Sequence, residues 1–186
     1  MNLPPTVVLD ACVLYSARVR DLLMELGALD LFYPRCTDMI HDEWIGNLTQ
    51  SRPELKDKLE RTRHMMNQST REFLVTGFEH LIDQVSLPDA DDRHVLAAAI
   101  TCNARIIVTN NLKDFPADAL QPFGIRALST DAFVLEMIGM HADQVAGAVS
   151  EIVARLRNPP QTVTQYLDSL SRTLPQSSQI LRTILT

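Results

Sequence analysis

Two short runs of aliphatic and β-branched residues constrain this chain more than anything else in it. "TVVL" (residues 6–9) stops at Asp10, and "IIV" (residues 106–108) stops at Thr109, Asn110 and Asn111. Runs this short with no alternating polar position suit strands buried on both faces, the situation of a parallel sheet covered by helices. Between and around them lie helical patterns: Val19, Leu22, Leu23 and Leu26 within residues 17–29, then Ile40, Trp44 and Leu48 from Thr37 onward. "DLFYP", "QVSLP" and "IRAL" offer further strands, with a helix starting near Thr130. Strands and helices in alternation predict an α/β fold, a three-layer αβα domain with a central parallel sheet and right-handed crossovers over residues 1–138. Beyond it, Val145, Val149, Ile152 and Leu156 recur at helical period until "NPP" breaks the run. Val163, Tyr166, Leu167 and Leu170, then Ile180, Leu181, Ile184 and Leu185, continue a helical C-terminal extension over residues 139–186.

Composition narrows the function. With 46% hydrophobic and 22% charged residues the chain is an ordinary globular one, and its net charge of −6 argues against gripping nucleic acid through bulk positive charge while leaving a local site open. Cys12, Cys36 and Cys102 have neither the pairing of a disulfide framework nor zinc-knuckle spacing, which suits a reducing cytoplasm. The start, "MNLPPTVVLD", does not read as a secretory leader, and no apolar run approaches the roughly 18 residues of a membrane helix. A cytoplasmic protein without a membrane partner is expected.

In such a sheet, ligands bind outside the carboxyl ends of the strands, so the polar residues there carry the chemistry. Asp10 ends the first strand, and Thr109, Asn111 and Asp114 follow the second. A cap for Asp10 and a turn for "NNLKD" are the structural alternatives. "PDADDRHVLAAA" crowds Asp89, Asp91 and Asp92 at the mouth of an apolar helix. Asp89 as N-cap explains one acid, with Asp92 at the third helical position; the remaining crowding calls for a cation or a proton. Periodicity leaves Asp91 and Asp92 both open as the inward-facing acid. Glu43 borders the buried stripe of its helix. Carboxylates from distant segments, without cysteine or histidine at ligand spacing, suit an oxygen-loving ion such as Mg²⁺ or Mn²⁺, which can activate water and neutralise a phosphate.

Taken in order, Asp10 in "VVLDACVLYS", Glu43 in "TDMIHDEWIGNL", the acids of "LPDADDRHVLAAAI" and "ARIIVTNNLKDF" resemble the PIN-domain ribonucleases, and within them the VapC-type toxins of bacterial toxin–antitoxin pairs. The resemblance covers about residues 6–138. It implies that Asp10, Glu43, Asp92 and Asp114 form the catalytic, metal-binding cluster, with Thr109 and Asn111 supporting it. A family frame, D-R-x-x-x-A-x-A, falls on Asp92, Arg93, Ala97 and Ala99 and prefers Asp92, with Asp91 the second candidate. It further implies Mg²⁺- or Mn²⁺-dependent hydrolysis of RNA to 5′-phosphate and 3′-hydroxyl ends, a cognate antitoxin, and a homodimer. The long segment 53–77 and the helices after about His141 depart from the minimal pattern.

Other readings stand beside this one. A non-catalytic interaction module would use the acids only as caps, and a DNA nuclease would use the same ion. A phosphotransfer or receiver domain fits less well, because the chain lacks a D-x-D after its first strand. Arg52, Lys56, Lys58, Arg61, Arg63 and Arg71 interleave with Glu54, Asp57 and Glu60, which predicts a solvated helix laced with ion pairs, with RNA contact as the second reading. His41, His64, His80 and His94 lack ligand spacing and read as structural or surface residues. The C-terminal leucines predict packing onto the core, or else a groove for antitoxin or a dimer contact.

Overall fold

The computed structural model describes residues 3–185. Strands β1 (Thr6–Leu9), β2 (Tyr33–Arg35), β3 (Ile106–Val108) and β4 (Arg126–Leu128) form one sheet in the order β2-β1-β3-β4, every pairing parallel. The two runs that anchored the sequence reading are its central pair, and Val7, Val8, Leu9, Ile107 and Val108 are completely buried. Helices follow in chain order: α1 (Ala11–Leu14), α2 (Ala17–Ala28), α3 (Asp38–Ser51), α4 (Lys56–Ser69), α5 (Arg93–Thr101), α6 (Ala117–Leu120), α7 (Thr130–Arg155), α8 (Val163–Leu170) and α9 (Pro175–Leu185). α5 packs on β1 and β3, while α2 and α7 pack on each other and reach β2 and β4. The architecture is the three-layer α/β fold that the alternation predicts.

Gly27 lets α2 close on the sheet: a Cβ there would sit 2.8 Å from Pro34 of β2, too near for any side chain. The apolar-all-round α5 is covered twice. Val95, Leu96 and Ala99 join the main core, while Ala97 and Ala98 meet Val75 and Phe78 on the opposite side. The expected strand "QVSLP" does not form. The 3-10 segment Glu79–Gln84 takes its first residue, Val85 is buried and Leu87 half-buried against the core, and neither pairs with a strand among the described residues. Alternation reported burial there, not a ladder. The long segment 53–77 returns to the sheet edge instead, where Cys36 accepts from Val75 N–H and donates to Phe73 C=O, both at 2.8 Å.

The ion-pair-laced helix is also revised. Within α4 the i,i+3 contact is Glu60–Arg63 at 3.8 Å, and Arg63 turns chiefly to Asp38 and Asp42 of α3. Arg52 and Lys58 have no carboxylate within ion-pair distance among the described residues. α3 and α4 are further joined through His41. Trp44 Nε1–H donates to His41 Nδ1 at 3.0 Å, which leaves the proton on Nε2 to be donated to Asn67 Oδ1 at 3.0 Å.

The expected division at 138/139 falls inside α7, just before its non-helical residue His141 (φ −142°, ψ 43°). The C-terminal stripes pack inward in part: Tyr166, Leu167, Leu170, Leu174 and Leu181 are buried in the same core as the sheet, whereas Ile180 and Ile184 of the last stripe are exposed. Asp131 in the first turn of α7 fixes α9 by accepting from Gln176 N–H (3.1 Å), Ser177 N–H (2.9 Å) and Ser177 Oγ–H (2.6 Å), an N-terminal cap supplied from another helix.

Candidate active site

From β1 the chain moves outward to β2 on one side, and from β3 it moves outward to β4 on the other. The strand order therefore reverses between β1 and β3, the place where parallel sheets open a crevice at their carboxyl ends. Leu9 pairs with Val108, so the next residues, Asp10 and Thr109, stand side by side at that crevice. Asp10 is 3% exposed and its carboxylate is an acceptor hub. It receives Ala11 N–H at 2.6 Å, Thr109 Oγ1–H at 2.7 Å and the Cys12 thiol at 2.9 Å. Thr109 in turn accepts from Asn111 N–H at 3.0 Å, and Asn111 Nδ2–H donates to Asp114, which is buried in the 3-10 turn Leu112–Asp114. Asn110 accepts from Thr130 N–H (3.2 Å) and Oγ1–H (2.9 Å), tying the end of β3 to the start of α7.

The acids of "PDADDRH" arrive from the amino end of α5. Asp89, Asp92 and Asp114 each present a ligand oxygen within 4.8 Å of the others. One Asp92 oxygen, Oδ2, is buried without any hydrogen-bond partner. Asp89 is not the helix cap expected: α5 begins at Arg93 with Asp92 in the cap position, and the Asp89 carboxylate accepts from Asp91 N–H at 2.9 Å in the preceding turn. The chain needs that turn to lead Pro88 into the helix, which shifts the cap three residues on. Asp91 is exposed, and its side chain makes no bond. Glu43 reaches the cluster's edge from α3, its Oε2 lying 3.7 Å from Nε2 of the buried His94. Asp10 and Glu43 are outside the close trio, though the charge of each bears on Asp92.

A sequence profile of the PIN domain matches residues 6–113, more than half the chain. This chain belongs to the PIN-domain family. A second profile, the VapC50 C-terminal domain, matches residues 130–183 and so spans α7, α8 and nearly all of α9. A Mycobacterium tuberculosis protein named "Putative ribonuclease VapC50" is 42% identical over 85 residues, which is 46% of this chain and 50% of that protein. This chain thus aligns with about half the length of that curated relative. No solved structure matches it. Among the described residues, no helix is long and apolar enough to cross a membrane.

The electrostatics of this PIN-domain crevice are dominated by like charges held close together. Asp92 is pushed up to about 6, first by burial and then by the charges of Asp10, Asp89, Asp114 and Glu43. The Cys12 thiol is pushed up to about 12, chiefly by withdrawal from water and then by the Asp10 charge, so it serves as a hydrogen-bond donor and not as a thiolate. An acid raised in the folded state works against the fold wherever it is ionised. Without a cation, the Asp92 contribution is therefore most favourable below the ordinary carboxylate range and is lost as pH rises through about 6. A cation reverses this dependence, because it binds the ionised form. Mn²⁺ affinity, measured by calorimetry, should fall roughly tenfold per pH unit below the Asp92 value and flatten above it, with proton release on binding that shrinks over the same interval.

Sequence reasoning missed four residues here: Asp89 as a member of the close trio, Cys12 and Asn110 as positioning donors and acceptors, and His94 as the neighbour of Glu43. Asp89 carried a signal in its own crowding. Cys12 carried one in its place two residues past a strand-end acid, whereas His94 had none.

Proposed function

We propose that this PIN domain is a divalent-metal-dependent endoribonuclease, the toxin of a toxin–antitoxin pair. The observation that carries the reading is the orphaned, buried Oδ2 of Asp92 among the carboxylates of Asp89 and Asp114, beside Asp10 at the reversal of strand order. An all-oxygen donor set with one unsatisfied buried carboxylate oxygen fits Mg²⁺ or Mn²⁺, which needs only one or two direct carboxylates and keeps its remaining waters. Asp92 and Asp114 would hold such an ion with Asp89, while Asp10 and Glu43 complete the acidic wall. When bound, the ion lowers the pKa of a water and neutralises charge on the phosphate under attack.

The protein's own residues perform the positioning. Thr109 and Cys12 hold Asp10 in one rotamer by donating to the same carboxylate oxygen. Asn111 holds Asp114, and Asn110 anchors the end of β3 that carries Thr109 and Asn111. Residues 1–138 form the nuclease unit in this reading and residues 139–186 a helical extension docked on it, acting in the cytoplasm on RNA, held in check by a cognate antitoxin and assembling as a homodimer. Support comes from the PIN-domain match and from the name of the Mycobacterium tuberculosis relative. Incubating the chain with defined RNA and DNA, in Mg²⁺, in Mn²⁺ and in chelator, tests it. Metal-dependent cutting of RNA is expected, and inertness toward RNA under every metal would refute it.

A further inference from the structure

A second polar cleft, of about 720 Å³, lies between α1, α2, α3 and α4, outside the acidic cluster. Arg20, Arg52 and Lys58 line it, and no acidic residue does. Arg20 is the unusual member. It is 6% exposed, its guanidinium lies 4.6 Å from the centroid of the Trp44 ring, and one N–H donates to Leu14 C=O at 2.6 Å. Its Nε is buried with no partner, and among the described residues no carboxylate lies within ion-pair distance of it. A buried guanidinium with no ion-pair partner, only the more distant charge of Asp21, is costly, and a bound anion would relieve that cost. Two more features converge on the same space. Ser16, the N-cap of the twelve-residue α2, makes no side-chain capping bond, and Ser16 and Ala17 at this helix's amino end line the cleft. Tyr15, 45% exposed, stands on the rim.

We propose that this cleft seats a phosphate of the single-stranded RNA substrate next to the scissile bond. Arg20 and the amino end of α2 receive the phosphate, Arg52 and Lys58 close over it, and Tyr15 stacks on the adjoining base. The inference rests on the nuclease reading. It also names where an acidic protein keeps local positive charge for its substrate. Location favours RNA over an acidic peptide: Asp10 and the cleft are joined by α1, a single turn about 6 Å long. An exposed tyrosine beside three cations is the combination that single-stranded nucleic acid uses, a backbone groove with a stacking platform. Asp21, the neighbouring acid that feels Arg20 and Lys58, lines a different cleft.

The test compares wild type, an Arg52→Glu, Lys58→Glu double variant and Tyr15→Ala, all changed at exposed positions. Binding of a fluorescent single-stranded RNA is followed by anisotropy in chelator across a salt series, and Mn²⁺-dependent hydrolysis of bis(p-nitrophenyl) phosphate reports the acidic cluster alone. The double variant should bind at least about tenfold more weakly, with a salt slope reduced by about 1.4, two contacts at roughly 0.7 each. Tyr15→Ala should lose roughly tenfold, and hydrolysis of the small diester should be unchanged in both. Equal RNA affinity in all three proteins would overturn the inference. So would a glutamate-rich peptide whose binding is lost in the double variant while RNA affinity is kept, since that assigns the cleft to a protein segment. Wild type that cuts neither RNA nor the diester, yet loses RNA binding in the variants, would refute the nuclease reading and leave the phosphate cleft standing.

Discussion

Asp10→Asn should lower RNA cleavage by about three orders of magnitude while leaving the fold in place. The substitution keeps the volume and removes the charge that stands at the centre of the strand-end crevice. Charge stabilisation at such a site amounts to several kcal/mol, and each 1.36 kcal/mol is tenfold in rate. The amide also meets a mismatch. Asp10 accepts from Ala11, Thr109 and Cys12 together, and an amide group turned toward Thr109 brings a second donor to a hydroxyl that already accepts from Asn111. Single-turnover cleavage with saturating RNA should show the loss in the rate constant. Circular dichroism melting should show a Tm within a few degrees of wild type, because removing one of several like charges offsets part of the lost bonding. A variant that cuts at the wild-type rate would remove Asp10 from the mechanism.

Phe133→Ala should cost about 3–5 kcal/mol, a large share of the roughly 5–15 kcal/mol that a domain has in total. Phe133 is completely buried in α7 and meets Phe32 edge-to-face, the ring centroids 4.9 Å apart and the planes at 85°. Truncation empties a site between the long helix and the approach to β2. It also loosens the amino end of α7, where Thr130 is held by Asn110 at the end of β3. Urea unfolding should show the lower midpoint. Activity measured well below that midpoint should fall by less than for Asp10→Asn, because no cluster acid is touched.

How much of this was legible in the sequence depends on whether a signal was local. The two central strands were legible because burial on both faces leaves an unbroken apolar run, as in "TVVL" and "IIV"; the edge strands were placed less well, since Pro34, read as the end of "DLFYP", lies inside β2, and β4 is only partly buried. "QVSLP" misled because alternation records which side chains are buried and does not say whether a partner strand exists. The strand-end acids Asp10 and Asp114 stood out because parallel sheets gather function there. The choice between Asp91 and Asp92 depended on a one-residue rotation of a helix start, below what periodicity resolves. The structure leaves Asp91 exposed and Asp92 with a buried, unpaired oxygen. The burial of Arg20 was invisible, since in the sequence it is one cation on an amphipathic helix. Only the packing of Trp44 beneath it, brought from a different helix, shows that it is buried, and no ion-pair partner reaches it among the described residues.

The most direct test of the central claim is the chemistry of the cut ends. A defined RNA incubated with the chain and Mn²⁺ should yield fragments with 5′-phosphates and 3′-hydroxyls, and none when chelator replaces the metal or when Asp10→Asn replaces the wild type. Fragments ending in 2′,3′-cyclic phosphates, or cleavage that persists undiminished in chelator, would contradict the account.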